Sequence, residues 1–242
     1  MLQNTKAQKS SFALKTPADF KGKVLENEIS GLTMTINQTE LCSRLVGEFN
    51  AYNLLAIFGT AVELGLESLE VLRLLSNLES VSGRFQYIVS EANITAIVDY
   101  AHTPDALENV LKTINDIRTK NEQLITVIGC GGNRDKAKRP VMGGIASELS
   151  DKAILTSDNP RNEDATVIIS EMEEGVAPQN FKRILSITDR KQAIKTACQL
   201  AQPNDIILIA GKGHETYQEI EGVRHHFDDM KIVKELLEQL HK

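Results

Sequence analysis

From about residue 83 onward, short apolar runs alternate with longer amphipathic segments, and few folds accommodate that rhythm. Residues 94–98, 124–128, 153–155, 183–187 and 205–210 have the length and apolar character of buried strands, the last (DIILIA) being rich in β-branched residues. Between and after them the spacing predicts helices over 104–117, 140–149, 165–172, 190–200 and 228–240. Thr103 caps the first, with Pro104 at its first position, and Gly175 stops the third. Strands and helices of these lengths imply right-handed βαβ crossovers. The expected class is α/β, a mostly parallel sheet with helices on both faces, complete within residues 83–242.

Residues 1–82 follow another pattern. Residues 1–20 are polar, have no period, and read as a tail or linker. Residues 24–36 read as two strands turning at Ser30-Gly31. Residues 51–64 are apolar nearly all round, which predicts a buried helix closed by Gly65. Ser68 opens a second helix with Leu69, Leu72 and Leu75 at helical spacing. Two helices and a hairpin make a poor core alone, so this stretch reads as the end of something larger.

Composition removes several function classes. A net charge of −6 gives no basic face for non-specific nucleic-acid binding. The three cysteines, Cys42, Cys130 and Cys198, are odd in number and lack C-x-x-C spacing, so neither a disulfide framework nor a metal site is expected. No apolar run approaches the roughly 20 residues of a spanning helix, and the N-terminus has no apolar signal core. A cytoplasmic protein without membrane insertion is expected.

In open α/β sheets ligands bind beyond the carboxyl ends of the strands. Four of the five strand exits here carry glycine or charge clusters. They are Asp99-Tyr100-Ala101-His102, the run from Gly129 to Pro140, Asp158-Asn159-Pro160-Arg161, and Gly211-Lys212-Gly213-His214-Glu215. Any one of them is explained by a solvated turn; four on one edge point to a ligand site. Gly129-x-Gly131 begins a dinucleotide fingerprint, but Arg134 occupies the third glycine position. Arg134, Lys136, Lys138 and Arg139 beside the single carboxylate of Asp135 suit phosphate or carboxylate groups. His102 suits hydrogen bonding or stacking on a ligand ring better than catalysis, and Asp99 suits ribose hydroxyls. Asn50 and Asn53 open the apolar helix and read as caps. His225 and His226 lack metal-ligand spacing and read as surface residues.

The strings GEFNAYNLLA, GRFQ, VDYAHTPDAL, GCGGNRDKAKRP, SDNPR and AGKGHETYQ occur in this order. From about residue 12 to the C-terminus the chain resembles the Mur ligase family of peptidoglycan synthesis, in the branch that adds the third amino acid. The resemblance implies a three-domain enzyme. Residues 1–82 would be the C-terminal part of its central P-loop ATPase domain, and 83–242 its last, Rossmann-like domain. The chain contains no G-x-x-x-x-G-K-[ST] string, and the family's carbamylated lysine and magnesium ligands fall outside it. The expectation is therefore a C-terminal half, inactive alone, to which no catalytic or metal-binding residue is assigned.

The implied reaction is ATP-dependent amide formation. The D-glutamyl carboxylate of UDP-N-acetylmuramoyl-L-alanyl-D-glutamate becomes an acyl phosphate, and the amine of meso-diaminopimelate displaces phosphate. ATP would be co-substrate with Mg2+, and the full-length enzyme a monomer. The resemblance assigns Asn50 and Asn53 to the adenine, and Arg84, Asp99 and His102 to the nucleotide. It assigns Arg134, Asp158, Asn159, Arg161, Gly211 and Glu215 to the amino acid. D-N-P-R is the form associated with diaminopimelate, whose second carboxylate Arg161 can grip with two prongs. Asp158 or Glu215 can receive the ammonium, and Pro160 holds Asn159 extended. Three alternatives stand: a lysine-adding ligase, a non-catalytic amino-acid or nucleotide-binding module, and a nicotinamide-dependent dehydrogenase.

Overall fold

The computed structural model describes residues 6–242, which divide into two compact units, one ending at Ser80 and the other running over Val81–Lys242. The first unit holds a four-stranded sheet in the order β1-β2-β3-β4. Its strands are β1 (Phe12–Ala13), β2 (Phe20–Glu28), β3 (Gly31–Ile36) and β4 (Thr39–Ser43). The hairpin at Ser30-Gly31 is present, with β2 antiparallel to β3, and β4 extends it. The tail reading fails at Phe12–Ala13, which pair parallel with β2. Polar residues fix this turn: the Ser11 N–H and hydroxyl donate to Asp19 Oδ2 at 2.8 and 2.7 Å. A two-residue strand is too short to show a period. Residues 1–5 of the same stretch lie outside the described residues.

Helices α1 (Glu48–Glu63) and α2 (Ser68–Ser76) complete this unit. Helix α1 buries one face, Ala51, Leu54, Leu55 and Phe58, while Phe49, Tyr52 and Ile57 are exposed. Neither asparagine caps it. The N-cap is Gly47, and Asn50 in the first turn donates Nδ2 to the Val46 carbonyl at 2.8 Å and accepts from Asn53 Nδ2 at 3.1 Å. Helix α2 is capped by the Glu67 side chain and buries Val71, Leu72 and Leu75, leaving Leu69 exposed. With Phe20, Leu32, Met34, Ile36 and Leu41 these residues close a core of their own. The unit is better packed than a hairpin and two helices, because β1 widens the sheet under α1 and β4 widens it under α2.

The second unit is built on a six-stranded sheet in the order β5-β6-β10-β7-β8-β9. Along the chain run β5 (Gln86–Val89), β6 (Thr95–Asp99), α3 (Pro104–Ile117), β7 (Leu124–Cys130), α4 (Lys138–Leu149) and β8 (Lys152–Ser157). Then follow α5 (Ala165–Glu173), β9 (Ile184–Ser186), α6 (Arg190–Leu200), β10 (Ile206–Ala210), a hairpin of β11 (Tyr217–Ile220) and β12 (Val223–His226), and α7 (Asp229–Gln239). Strands β6 to β10 are mutually parallel, and only the edge strand β5 runs antiparallel. The last strand, β10, is inserted at the centre, pairing Ile206 with both Thr95 and Leu124. The expected strand over 183–187 is shorter, because a 3-10 turn over Pro178–Arg183 uses its first residue.

Alternation along the strands divides the core. Ala96, Val98, Ile125, Val127, Ile154, Ile207 and Ile209 pack against α6 and α7 through Ala193, Ile194, Ala197, Val233 and Leu236. On the other face α3, α4 and α5 lie side by side, with α4 and α5 against β7 and β8. This is the expected α/β arrangement, with helices on both faces.

Burial also sets thiol chemistry. It pushes the Cys130 and Cys198 thiols up to about 12, so both stay neutral and shielded, whereas Cys42 is exposed on β4. Ellman's reagent at pH 8 should titrate one thiol per native chain quickly and three in denaturant. Two fast thiols in the native protein would contradict this packing.

Candidate functional site

Parallel strands open their exits on one edge, and the β6, β7, β8 and β10 exits meet there. They enclose a cleft of about 780 Å³ whose walls include His102, Arg134, Asp158, Asn159, Arg161 and Glu215. Gly211 lies beneath it. Its φ is +114°, and a Cβ there would stand 3.0 Å from Asp158 Oδ2, so only glycine lets the β10 exit pass the acid at this distance.

The D-N-P-R turn is held on nearly every side. Asp158 Oδ1 accepts from the Asn159 N–H at 2.8 Å, while its Oδ2 is buried without a partner. A buried acceptor left open costs roughly 1–3 kcal/mol, so this oxygen is available to a donor that enters the cleft. Asn159 is engaged through both amide atoms: Oδ1 accepts from Lys212 Nζ at 3.0 Å and from the Glu219 N–H at 2.8 Å, and Nδ2 donates to Glu215 Oε2 at 2.8 Å. Arg161 sits in the left-handed region, φ +54°, a strained setting for a residue with a side chain.

The clasp that keeps Arg161 there is the β11–β12 hairpin. The Arg161 N–H donates to the Glu219 carbonyl at 3.0 Å, and the Glu221 N–H to the Arg161 carbonyl at 2.8 Å. Its Nη1 donates to the Gly132 carbonyl at 2.9 Å, and Nε lies 3.5 Å from the Glu219 carboxylate. Gln218 Nε2 donates to the Asp158 carbonyl at 2.7 Å. Sequence reading gave this hairpin no role. Its one available signal was the Glu221-Gly222 turn between short polar runs.

The glycine-rich exit of β7 departs from expectation. Arg139 is fully buried and forks onto Glu163 with two contacts of 3.0 Å, and it also reaches Glu171. Lys136 pairs with Glu163 at 3.2 Å, and Lys138 donates to the His102 carbonyl at 2.7 Å. Three of the four cations are therefore tied to protein partners, and Arg134 is exposed at the cleft, which Lys138 also lines. Arg139, then the Asn133 N–H and Lys136, hold the Glu163 carboxyl down at about 2. The loops are closely set as well: a Cβ on Gly132 would meet the Pro160 carbonyl oxygen at 1.9 Å.

At the β6 exit, Asp99 accepts from the N–H of Phe85 at 2.7 Å and of Ala101 at 2.8 Å, one on each oxygen. Burial raises its carboxyl above the usual range, against those two bonds and the nearby Arg84. The Arg84 guanidinium lies over the Tyr100 ring at 4.9 Å, and Tyr100 stacks obliquely on His102 at 4.5 Å and His214 at 5.1 Å. His102 Nδ1 faces the Tyr100 carbonyl at 2.8 Å, which requires that nitrogen to carry the proton and leaves Nε2 as the acceptor of the neutral ring. Arg84, Asp99 and His102 are thus neighbours, whereas Asn50 and Asn53 belong to the other unit. Among the described residues no group of three His, Cys, Asp or Glu could hold a metal ion, and no helix is long and apolar enough to cross a membrane.

Comparison with known proteins places this architecture. A family model described as "Mur ligase, glutamate ligase domain" matches residues 83–213. The chain is 56% identical over its whole length to the UDP-N-acetylmuramoyl-L-alanyl-D-glutamate–2,6-diaminopimelate ligase of Cytophaga hutchinsonii, covering 50% of that protein. It is 56% identical over 98% of its length to the ligase of the same name from Parabacteroides distasonis, covering 49% of it. A solved structure of a ligase of that name superposes with a TM-score of 0.70 at 39% identity, over 96% of this chain and 48% of the other. UDP-N-acetylmuramate-alanine ligase from Thermotoga maritima shares the fold, TM-score 0.67 at 18% identity. The chain spans about half the length of the curated relatives it matches. With more than half its residues matched by the family model, it belongs to the Mur ligase family.

Proposed function

We propose that residues 83–242 form the amino-acid-delivering domain of a ligase that joins meso-diaminopimelate to UDP-N-acetylmuramoyl-L-alanyl-D-glutamate. The observation that carries this reading is the cleft's pairing of a buried, unpartnered acceptor, Asp158 Oδ2, with the guanidinium of Arg161. A ligand that fills both needs an ammonium and a carboxylate at one end. Diaminopimelate has them at each end, and lysine lacks the carboxylate at its far end. The relatives' names point to the same amino acid.

In this reading γ-phosphoryl transfer from ATP turns the D-glutamyl carboxylate into an acyl phosphate. The diaminopimelate amine then attacks that carbonyl, and phosphate leaves as the amine loses its proton. The chain's own part is positioning and charge neutralisation. Asp158 and Glu215 orient the distal ammonium, Arg161 the distal carboxylate, and Arg134 adds positive charge at the rim. Asn159 and Gly211 shape the floor. Arg84, Asp99 and His102 form a nucleotide-facing shelf in unit two, and Asn50 and Asn53 an adenine edge in unit one. Residues 1–82 would be the closing part of the ATP-binding domain. The described residues do not fit a magnesium site, since no three of their His, Cys, Asp or Glu side chains are grouped to hold a metal ion. The reaction would be cytoplasmic and the complete enzyme monomeric.

Titration calorimetry of the 242-residue chain tests the binding half. Saturable uptake of meso-diaminopimelate is expected, with lysine at least tenfold weaker, and equal affinity for the two would favour the lysine-adding alternative. The chain alone is expected to bind without ligating. ATP-dependent amide product from it would overturn that.

A further inference from the structure

We propose that Lys212 is a positioning residue that fixes Glu215 and Asn159, so that Glu215 offers a single carboxylate oxygen to the cleft. Lys212 is 0% exposed, unusual for a lysine so close to a ligand cleft. Its ammonium lies 3.0 Å from Asn159 Oδ1 and 3.1 Å from Glu215 Oε2, with the Tyr217 ring centroid at 5.5 Å. All three partners line the cleft.

The geometry removes choices from each partner. Asn159 Oδ1 receives Lys212 and the Glu219 N–H, which fixes the amide orientation and sends Nδ2 to Glu215 Oε2 at 2.8 Å. Oε2 thus receives two donors from the protein, one of them charged. Among the described residues no contact falls on Oε1, and Glu215 is only half-buried, so that oxygen is the one presented to the cleft. A buried cation is held only by paired partners, so the triangle holds the Glu215 carboxylate in place. Without the ammonium, Asn159 keeps the Glu219 N–H, but Glu215 is left with the Asn159 amide alone and its carboxylate is free to turn.

That the oxygen meets a ligand ammonium rests on the proposed function; that Lys212 sets its position does not. Lys212→Met is expected to weaken meso-diaminopimelate binding about tenfold. Lys212→Arg should return binding to within about threefold. The Asn159 side-chain amide signals should shift in Lys212→Met with no ligand present. If wild-type chain binds no diaminopimelate but those signals still shift, the ligand reading fails and the positioning role stands. Native-like Lys212→Met with unchanged affinity and Asn159 signals would overturn it. Should Lys212→Met not fold, the unmodified chain decides: the Lys212 ammonium must give a slowly exchanging nitrogen signal coupled to Asn159 or Glu215. Exchange at the rate of surface lysines would sink the proposal.

Discussion

Arg161→Ala is expected to weaken meso-diaminopimelate about a hundredfold while moving lysine by less than threefold. A charge-assisted hydrogen bond contributes roughly 1.5–3 kcal/mol, and each tenfold in affinity corresponds to about 1.4 kcal/mol. Losing a two-pronged grip therefore removes about two decades. The side chain is already oriented, since Nη1 and Nε are tied to Gly132 and Glu219, so binding need not order a free arginine. Lysine has no far carboxylate to lose. Isotherms for the two amino acids, run on wild type and variant, give the ratio directly. Diaminopimelate affinity within twofold of wild type would end the argument for Arg161 as selector.

Asp229→Ala should cost about 3–5 kcal/mol of stability. Arg190 and Asp229 are both fully buried and paired at 2.9 and 2.7 Å, one at the start of α6 and the other at the start of α7. Burial works against the Arg190 charge, and Asp229, with smaller help from Asp158 and Glu215, more than restores it. Removing the acid strands the cation. The damage should reach the cleft, because Arg190 Nη2 also donates to the Ala210 carbonyl at 3.0 Å, at the end of β10. Replacing both partners, Arg190→Met with Asp229→Leu, should be milder than the single change. Urea midpoints for the three variants measure this. A single-variant loss below about 1 kcal/mol would show that the pair is not needed to hold α6 and α7 together.

The legible parts of the fold were those where burial writes a pattern. Residues in β6, β7, β8 and β10 are covered on both faces, so their sequences are nearly unbroken apolar runs. Strands with a wet face were harder. β12 is exposed throughout, and β1 has only two residues. The cleft was legible because exits of parallel strands must meet, whatever their side chains do. Partner choice was not. Arg139 reads as one more loop cation, yet Glu163 and Glu171, 24 and 32 residues away, bury it. Lys212 reads as part of a flexible Gly-Lys-Gly turn, yet Asn159, 53 residues back, fixes its ammonium. Such pairings depend on register between distant loops, which no local window contains.

The central place of β10 has a consequence for how the protein is made. Until residues 206–210 leave the ribosome, β6 and β7 have no common neighbour, because the strand that joins them is the last of the six to be synthesised. The halves of the sheet on either side must wait as separate, sticky edges. Closure of the domain, and with it the Gly211–Glu215 wall of the cleft, is thus a late event in synthesis. A stop codon near residue 200 should leave an aggregating chain rather than a smaller folded one.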